Sequence, residues 1–282
     1  MKLSLKLKKR LGITELQQNT RKLIDILSED YINRNLFNNP KYQNSKKLNK
    51  YEYQVFSQNG EDGIIAEIFK RIGETNKFFV EFGVEDGFEN NTLNLLVKGW
   101  SGLWMEGSSK HTENVKQKFS GLIEKKKLKV QNAFITSENI ESLLKSTNVP
   151  KDLDLLSIDI DGNDYWVWEA IKNHDPRVVV IEYNSLFRPD TKWVMKYNSE
   201  HIWNQTCYAG ASLKSLELLG AKKGYKLVAC DFLGVNSFFV REDLVKDKFL
   251  SPFTAEEHYE PPRYHLSREV GHKRDFGDFE SI

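Results

Sequence analysis

The sequence predicts an α/β fold in which a mostly parallel sheet ends in an antiparallel edge hairpin and follows an N-terminal helical extension. Between residues 53 and 245, short apolar runs alternate with stretches of helical periodicity, which is typical of a sheet covered by helices on both faces. Only a short loop separates the last two apolar runs, so we expect these two strands to pair as a hairpin. Residues 1–50 instead place leucines and isoleucines at helical spacing.

The predicted elements follow from local composition. Short apolar runs predict strands at 78–82, 102–105, 128–131, 155–160, 178–182, 225–230 and 236–240. Apolar residues at helical spacing predict helices at 60–72, 91–98, 110–118, 140–145, 165–173 and 213–220. A further amphipathic helix is predicted over 13–32, ending before Pro40.

These elements divide the chain into three segments. Residues 1–50 form a helical extension and linker, residues 51–250 a catalytic-size domain, and residues 251–282 an irregular tail that either folds over a site or stays mobile. The extension begins with lysines among leucines, which suits packing on the body, a homodimer contact or a peripheral membrane contact.

Composition limits the location and the partners. With 41 basic and 40 acidic residues among 282, bulk charge indicates neither nucleic acid nor an acidic partner. No run has the roughly 18 apolar residues of a membrane span. Residues 1–11 lack the apolar core of a secretory signal, and two cysteines do not make a disulfide framework. We therefore expect a cytoplasmic protein without a transmembrane segment, with peripheral contact at the inner membrane surface as an alternative.

The most informative stretch is 78–87, a predicted strand that breaks into a turn between Gly83 and Gly87. A strand, a glycine turn and a helix are how open α/β sheets hold a cofactor. Glu81, Glu85 and Asp86 place three carboxylates where a dinucleotide would put its pyrophosphate, and like charges repel strongly where water is scarce. S-adenosylmethionine has a sulfonium, an ammonium and no phosphate, so it is the cofactor that this turn favours.

Further candidate cofactor contacts follow the next strands. Glu106, before Gly107 and Ser108, is an acid at the end of the second strand that can accept hydrogen bonds from ribose hydroxyls. Asn132 and Ala133 follow the third strand, where an amide can meet an adenine edge. The backbone at Asn91 and Thr92 is expected to offer free N–H groups to the cofactor's carboxylate at a helix N-terminus.

The acceptor side is predicted at the ends of strands four and five. Alternation places Asp159 and Asp161 on one face of strand four, and adjacent strand ends bring Glu182 and Asn184 to them. Such oxygen ligands suit Mg²⁺ or Mn²⁺ at Asp161, Glu182 and Asn184. A metal-free rim whose carboxylates bind a hydroxyl or act as base is an equal alternative. Asp159 and Asp161 are the first candidates for the general base, and His201 is the second.

Four motifs give the chain a resemblance to a known family. These are Phe56-Ser57-Gln58-Asn59-Gly60-Glu61-Asp62, Val80-Glu81-Phe82-Gly83, Glu106-Gly107-Ser108 and Ser157-Ile158-Asp159-Ile160-Asp161-Gly162-Asn163-Asp164. Over about 53–245 the chain resembles the FkbM-like class I S-adenosylmethionine-dependent methyltransferases of surface-polysaccharide and sugar modification. The resemblance implies a Rossmann-like sheet, with Gln58, Glu61 and Asp62 near the methionine end of the cofactor. Asp159 is a further candidate cofactor contact. The glycine turn departs from the commoner Gly-x-Gly-x-Gly form, since it has only Gly83 and Gly87.

The leading functional hypothesis is an O-methyltransferase that acts on a sugar, a nucleotide-linked sugar or a polysaccharide precursor. The alternatives are an NAD-dependent oxidoreductase or epimerase, and a non-catalytic cofactor-binding assembly module. The acidic first turn argues against NAD, and the acids at strands four and five argue against a pure binding module. Nucleic-acid methylation is not expected, because no basic stripe follows the sheet.

Overall fold

The computed structural model describes residues 12–267, 274 and 276–277. The chain divides into two compact units between Asn44 and Ser45, and the larger unit carries the whole sheet. The predictions that concern residues 1–11, namely packing on the body, a homodimer contact or a membrane contact, fall on residues outside the described part of the chain.

The N-terminal unit is built around helix α1, Ile13–Ile32, which has the bounds that the sequence predicts. It continues as one π-helical stretch, Asn33–Phe37, and a 3₁₀ turn, Pro40–Tyr42. Leu16, Leu23, Ile26 and Leu27 are each more than half exposed, so much of the helix's apolar surface is uncovered within this unit. Homodimer formation through this helix stays a prediction. No described helix has the length and apolar character needed to cross a membrane.

Seven strands form one sheet. They are β1 Phe78–Phe82, β2 Ser101–Glu106, β3 Leu128–Asn132, β4 Leu155–Ile158, β5 Val178–Glu182, β6 Tyr225–Cys230 and β7 Asn236–Arg241. Their order is β3-β2-β1-β4-β5-β7-β6. The first five strands run parallel, and β7 is antiparallel to both β5 and β6. The predicted Rossmann-like sheet with an antiparallel edge hairpin is therefore confirmed.

Helices cover both faces of this sheet. In the larger unit they are α2 Glu61–Ile72, α3 Leu93–Val97, α4 Ser109–Lys118, α5 Ser120–Glu124, α6 Ile140–Ser146, α7 Asp164–Ala170, α8 Leu213–Lys222, α9 Glu242–Val245 and α10 Ala255–His258. The first four of these supply apolar residues to one core cluster, and α6, α7 and α8 supply the other.

Strand alternation separates the two cores. Val80 and Phe82 of β1 point into one cluster, and Phe79 points into the other. Burying each such side chain fully contributes roughly 1.5–3 kcal/mol relative to leaving it exposed. By the same alternation, Glu81 lies on the face of Phe79, where Trp104 of β2 is also buried, so this carboxyl is held inside the protein.

Strand β4 is shorter than predicted, and this corrects the argument for the acid pair. It ends at Ile158, and Asp161 lies in a turn with φ of +58°. Asp159 and Asp161 are therefore not placed side by side by strand alternation. The turn is held by Asp164, whose carboxylate oxygens accept hydrogen bonds from the backbone N–H groups of Ile160 (2.9 Å) and Gly162 (2.8 Å).

The carboxyl ends of β1 and β4 approach each other at Gly83. This glycine has φ of +72°, and a Cβ atom added to it would lie 1.7 Å from the carbonyl oxygen of Asp159. Any side chain would push the two strand ends apart, so glycine is required by both conformation and space.

We predict that Gly83→Ala lowers the free energy of unfolding by at least about 3 kcal/mol, because strain at positive φ adds to a clash with backbone. Gly99→Ala is the matched control, since Gly99 has φ of +82° but nothing within 4 Å of the added Cβ. It should lose only about 1–2 kcal/mol. Urea unfolding of both variants checks this, and equal losses would show that the close approach contributes nothing.

Candidate active site

A cavity of about 1080 Å³ opens at the carboxyl edge of the parallel strands. This is where ligands bind in open α/β sheets, at the point where neighbouring strands connect in opposite directions. Most of the predicted site residues meet there. The lining contains Gln58, Glu61, Glu81, Gly83, Glu85, Asn91, Glu106, Gly107, Ser108, Ala133, Asp159, Asp161, Glu182, Asn184 and His201. Five other predicted residues do not line it, namely Asp62, Asp86, Gly87, Thr92 and Asn132.

Those five residues shape the surrounding loops instead. One carboxylate oxygen of Asp62 accepts the backbone N–H groups of Val55, Phe56 and Ser57, each at 2.8 Å, and so builds the loop before α2. The side-chain amide of Asn132 donates to the carbonyl oxygen of Glu106 at 2.8 Å. This amide is therefore used in a contact within the protein, and the structure does not show it facing an adenine site.

The donors predicted at Asn91 and Thr92 are not free, which corrects that expectation. The backbone N–H of Asn91 donates to Glu81 Oε1 at 2.8 Å, and the hydroxyl of Thr92 donates to Glu81 Oε2 at 2.5 Å. The backbone N–H of Thr92 donates to Asn90 Oδ1 at 3.2 Å. Burial raises the pKa of Glu81 to about 7, although these hydrogen bonds oppose the rise. Glu81 thus ties β1 to the loop that follows it.

Glu106 joins the loops that follow β1 and β2. Its Oε2 accepts the backbone N–H of Glu85 at 2.9 Å, and its Oε1 accepts the backbone N–H of Ser108 at 2.7 Å. Each carboxylate oxygen keeps a further lone pair. The carboxylate is therefore fixed in the cavity wall and can still accept a hydroxyl donor such as a ribose.

Asp159, Asp161 and Glu182 form a compact acid group. One carboxylate oxygen from each lies within 4.8 Å of the other two. Burial and the neighbouring Asp164 raise the pKa of Asp159 well above its usual value, and burial and Asp159 do the same for Glu182. The pKa of Asp161 is also raised by burial and by Glu106, and His201 opposes that rise. A cation held among the three would relieve the repulsion.

His201 and Asn184 come from the segment after β5 and line the same cavity as the acid group. His201 lies against Gly162, where an added Cβ would come within 2.4 Å of its ring. Its Nε2 atom is buried without a hydrogen-bond partner in the described structure. The amide nitrogen of Asn184 donates to the carbonyl oxygens of Cys207 (2.8 Å) and Ala209 (3.0 Å). Asn184 therefore holds that segment across the cavity.

A buried polar network supports the cavity behind Glu61. Glu61 Oε2 accepts the backbone N–H of Asn59 at 2.7 Å, and Oε1 accepts the side-chain amide of Asn236 at 3.1 Å. Asp231 is also buried, and it accepts the backbone N–H groups of Leu233 and Val235, each at 2.9 Å. Burial and Glu61 raise its pKa to about 8. The first turn of α2 is thereby joined to the start of β7.

Part of the apolar rim was not predicted from the sequence. Phe134, Leu186, Ile202 and Tyr264 line the cavity while remaining exposed, as does Trp203, one of several exposed aromatic residues in this segment. No local pattern distinguishes these residues from surface apolar residues, because three separate segments of the chain bring them together. Tyr264 and Ser267 also show that the predicted tail contributes to the cavity, at least as far as Ser267.

The charge of the lining is uniform. Among the described residues that line the cavity, eight are carboxylic acids, two are histidines, and none is lysine or arginine. The acids are Glu61, Glu81, Glu85, Glu89, Glu106, Asp159, Asp161 and Glu182. Those of the acids that are ionised would repel a phosphate-bearing ligand and attract a cation.

Comparison with known proteins gives similarity only at the level of structure. The sequence matches no protein-family model and no curated protein. One similar structure is a protein from Klebsiella pneumoniae assigned as an O-methyltransferase, at 12% identity and TM-score 0.45, covering 78% of this chain and 97% of that one. Another is the O-methyltransferase from Bacillus cereus in complex with S-adenosylhomocysteine, at 13% identity and TM-score 0.42, covering 68% and 82%.

A third similar structure is the N-terminal domain of EvdMO1 with S-adenosylhomocysteine bound, at 13% identity and TM-score 0.42. It covers 78% of this chain and 95% of that one. Identities and TM-scores this low leave the function of this chain to the geometry of its own site.

Glu81 gives a testable dependence of stability on pH. Its pKa rises from 4.5 to about 7 on folding. Between those values the folded state keeps a proton that the unfolded chain has lost, so the free energy of unfolding falls as pH rises. Between about pH 5 and pH 8, the free energy of unfolding should fall by about 2–3 kcal/mol less in Glu81→Gln than in the unaltered protein. Urea unfolding at both pH values measures it.

The matched control is Glu113→Gln, which changes an exposed acid on α4. Its pH dependence should follow that of the unaltered protein. A Glu81→Gln variant with the same decline as the unaltered protein would contradict the buried titration of Glu81.

Proposed function

We propose that this chain is an S-adenosylmethionine-dependent O-methyltransferase that methylates a hydroxyl of an uncharged sugar or polysaccharide precursor. The observation that carries the proposal is the acidic cavity at the carboxyl edge of the sheet, which has no described lysine or arginine in its lining. The proposal keeps the resemblance to the FkbM-like methyltransferases, whose motifs supply much of this lining.

The cofactor's charge fits the cavity. S-adenosylmethionine carries a sulfonium and an ammonium, which the ionised acids of the lining attract, and its adenosine part carries no phosphate. Glu106 is fixed by two backbone N–H groups and would accept the ribose hydroxyls. NAD would place a pyrophosphate beside Glu81, Glu85 and Glu106, so the oxidoreductase alternative is disfavoured.

The acid group fits a divalent metal. Three carboxylates with oxygens within 4.8 Å of one another are ligands of the type that Mg²⁺ and Mn²⁺ prefer. Asp159, Asp161 and Glu182 would hold the ion, and Asn184 also belongs to the lining of this cavity. When bound, such an ion lowers the pKa of a coordinated hydroxyl and orients it.

Beyond binding the cofactor and the acceptor, methyl transfer requires little else from the protein. The acceptor hydroxyl must be aligned with the methyl group, and water must be kept out. In the metal-free alternative, Asp159 or Asp161 would take the hydroxyl's proton, because a raised pKa makes a carboxylate a better base near neutral pH. The rim rings of Phe134, Trp203 and Tyr264 offer apolar faces to a sugar ring. A nucleotide-linked sugar would bring a diphosphate to the acidic lining, so uncharged acceptors are favoured.

The cofactor assignment is tested by calorimetric titration with S-adenosylhomocysteine and with NAD. We expect micromolar binding of S-adenosylhomocysteine and no binding of NAD, because only NAD carries phosphate. Activity is then sought by transfer of labelled methyl groups to a panel of neutral and nucleotide-linked sugars. Binding of NAD alone would overturn the proposal.

Glu106→Ala should weaken S-adenosylhomocysteine binding by about tenfold to a hundredfold, since it removes the ribose acceptor, at about 1.4–2.8 kcal/mol. Glu113→Ala, on the exposed face of α4, is the matched control and should leave the dissociation constant unchanged. Circular dichroism confirms that both variants fold. Unchanged binding by Glu106→Ala would remove Glu106 from the cofactor site.

Asp161→Asn should weaken calorimetric Mn²⁺ binding at least about tenfold, because it removes one of three charged ligands. Asp190→Asn, an exposed acid outside the cavity lining, serves as the control. Absence of Mn²⁺ binding in the unaltered protein would instead favour the metal-free interpretation, in which the same carboxylates bind the hydroxyl directly.

A further inference from the structure

A second concavity, of about 580 Å³, lies at the opposite edge of the sheet from the acidic cavity. Its lining includes Phe78, Ser101 and Leu128, which are the first residues of β1, β2 and β3. Because these strands are parallel, this concavity lies towards their amino ends and the acidic cavity towards their carboxyl ends, and on β2 the two linings come as near as Leu103 and Met105.

The charge of this concavity is the reverse of that of the cavity. Lys116, Lys126, Lys127 and Lys129 line it, and Glu124 is the one acid in its described lining. The four lysines are exposed. They come from three elements, since Lys116 lies on α4, Lys129 on β3, and the other two on the connection that follows α5. Lys126, Lys127 and Lys129 belong to one basic run of the sequence, and the fold adds Lys116 from α4 to them.

The connection that carries two of these lysines is held in shape. The backbone N–H of Lys126 donates to the carbonyl oxygen of Ile123 at 3.0 Å, and that of Lys127 donates to Leu122 at 2.9 Å. Lys126 has φ of +57°, a conformation that few residues other than glycine adopt. On the other side, the ammonium of Lys129 donates to the carbonyl oxygen of Thr147 at 3.4 Å. The backbone that carries the lysines is therefore fixed before any ligand arrives.

The floor between the lysines is apolar. Phe78, Ile123 and Val130 are half-buried there, and Leu103 and Leu128 lie beneath them. Ser120, Thr147 and Asn148 add hydroxyl and amide groups at the edge. A ligand that fits must combine an apolar or planar body with more than one negative charge. A concavity of this size suits a small molecule better than the flat surface of a membrane.

We propose that this concavity binds a nucleoside diphosphate or a molecule that carries one, with its planar ring on the apolar floor and its phosphates against the lysines. The site is separate from the acidic cavity and does not depend on methyl transfer there. Free nucleotides and nucleotide-linked sugars share this chemistry, and they differ in whether a sugar beyond the second phosphate adds affinity.

The test is calorimetric titration of the full chain with UDP, UDP-glucose, uridine and inorganic pyrophosphate. UDP should bind at least about tenfold more tightly than uridine or pyrophosphate, because only UDP reaches both the floor and the lysines. The double variant K126E/K127E should weaken UDP at least about tenfold, and raising the salt concentration should weaken it in the unaltered protein. K116E is a second variant, on a different element.

Lys192→Glu is the matched control, because Lys192 is exposed and lines neither concavity. It should keep UDP affinity within about twofold. UDP-glucose binding more tightly than UDP would assign the site to nucleotide-linked sugars, and equal binding would assign it to the nucleotide alone.

Several results would overturn the proposal. These are no UDP binding at millimolar concentration, pyrophosphate or uridine binding as tightly as UDP, and the same loss in Lys192→Glu as in K126E/K127E. Binding to phosphatidylglycerol vesicles in the absence of any UDP binding would assign the lysines to a membrane surface instead. Circular dichroism and urea unfolding of each variant exclude misfolding as the cause of a loss.

Discussion

The close approach of β1 and β4 at Gly83 is the constraint on which the rest of the site depends. These strands are neighbours in the sheet, yet the chain leaves them towards opposite sides, to β2 and to β5. A crevice therefore opens beyond their carboxyl ends. The contact between Gly83 and the carbonyl oxygen of Asp159 sets how near the two following loops can lie. The cofactor-side loop and the acid group consequently share one wall.

Buried carboxylates keep these loops in place. Glu81, Glu106 and Asp164 each accept hydrogen bonds from backbone N–H groups of the turns beside them. A buried carboxylate without such donors would be strongly destabilising. Glu81 and Glu106 also line the cavity, so these two groups both close the loops and make the cavity acidic. Burial raises the pKa of Glu81 to about 7, so part of this negative charge is lost in mildly acidic solution.

The near-neutral total charge of the chain conceals two opposite surfaces. Acids line the described wall of the cavity at the carboxyl edge, and lysines line the concavity at the amino edge. Each edge gathers residues that are distant in sequence, because parallel strands all begin at one edge and end at the other. A ligand with phosphates would therefore be attracted to the amino edge of the sheet, and a cationic ligand to the carboxyl edge.

Some features of this protein were determined by the sequence alone. Apolar runs such as 78–82, the glycine turn after them and the short loop before β7 depend on local composition, so the sheet, its edge hairpin and helix α1 could be predicted. The acids Glu106, Asp159 and Glu182 could be placed at strand ends by the same logic. The predicted homodimer stays a prediction.

Only the tertiary structure decided which polar groups face the cavity. Asn91 and Thr92 look like free donors in sequence, but Glu81 reaches them from the adjacent strand. Asp161 joins the acid group through a left-handed turn, although strand alternation had placed it there for the wrong reason. The apolar rim is assembled from separate segments, and the lysine-lined concavity from α4, β3 and the connection between α5 and β3. Such contacts depend on distances between elements, which periodicity along one element does not contain.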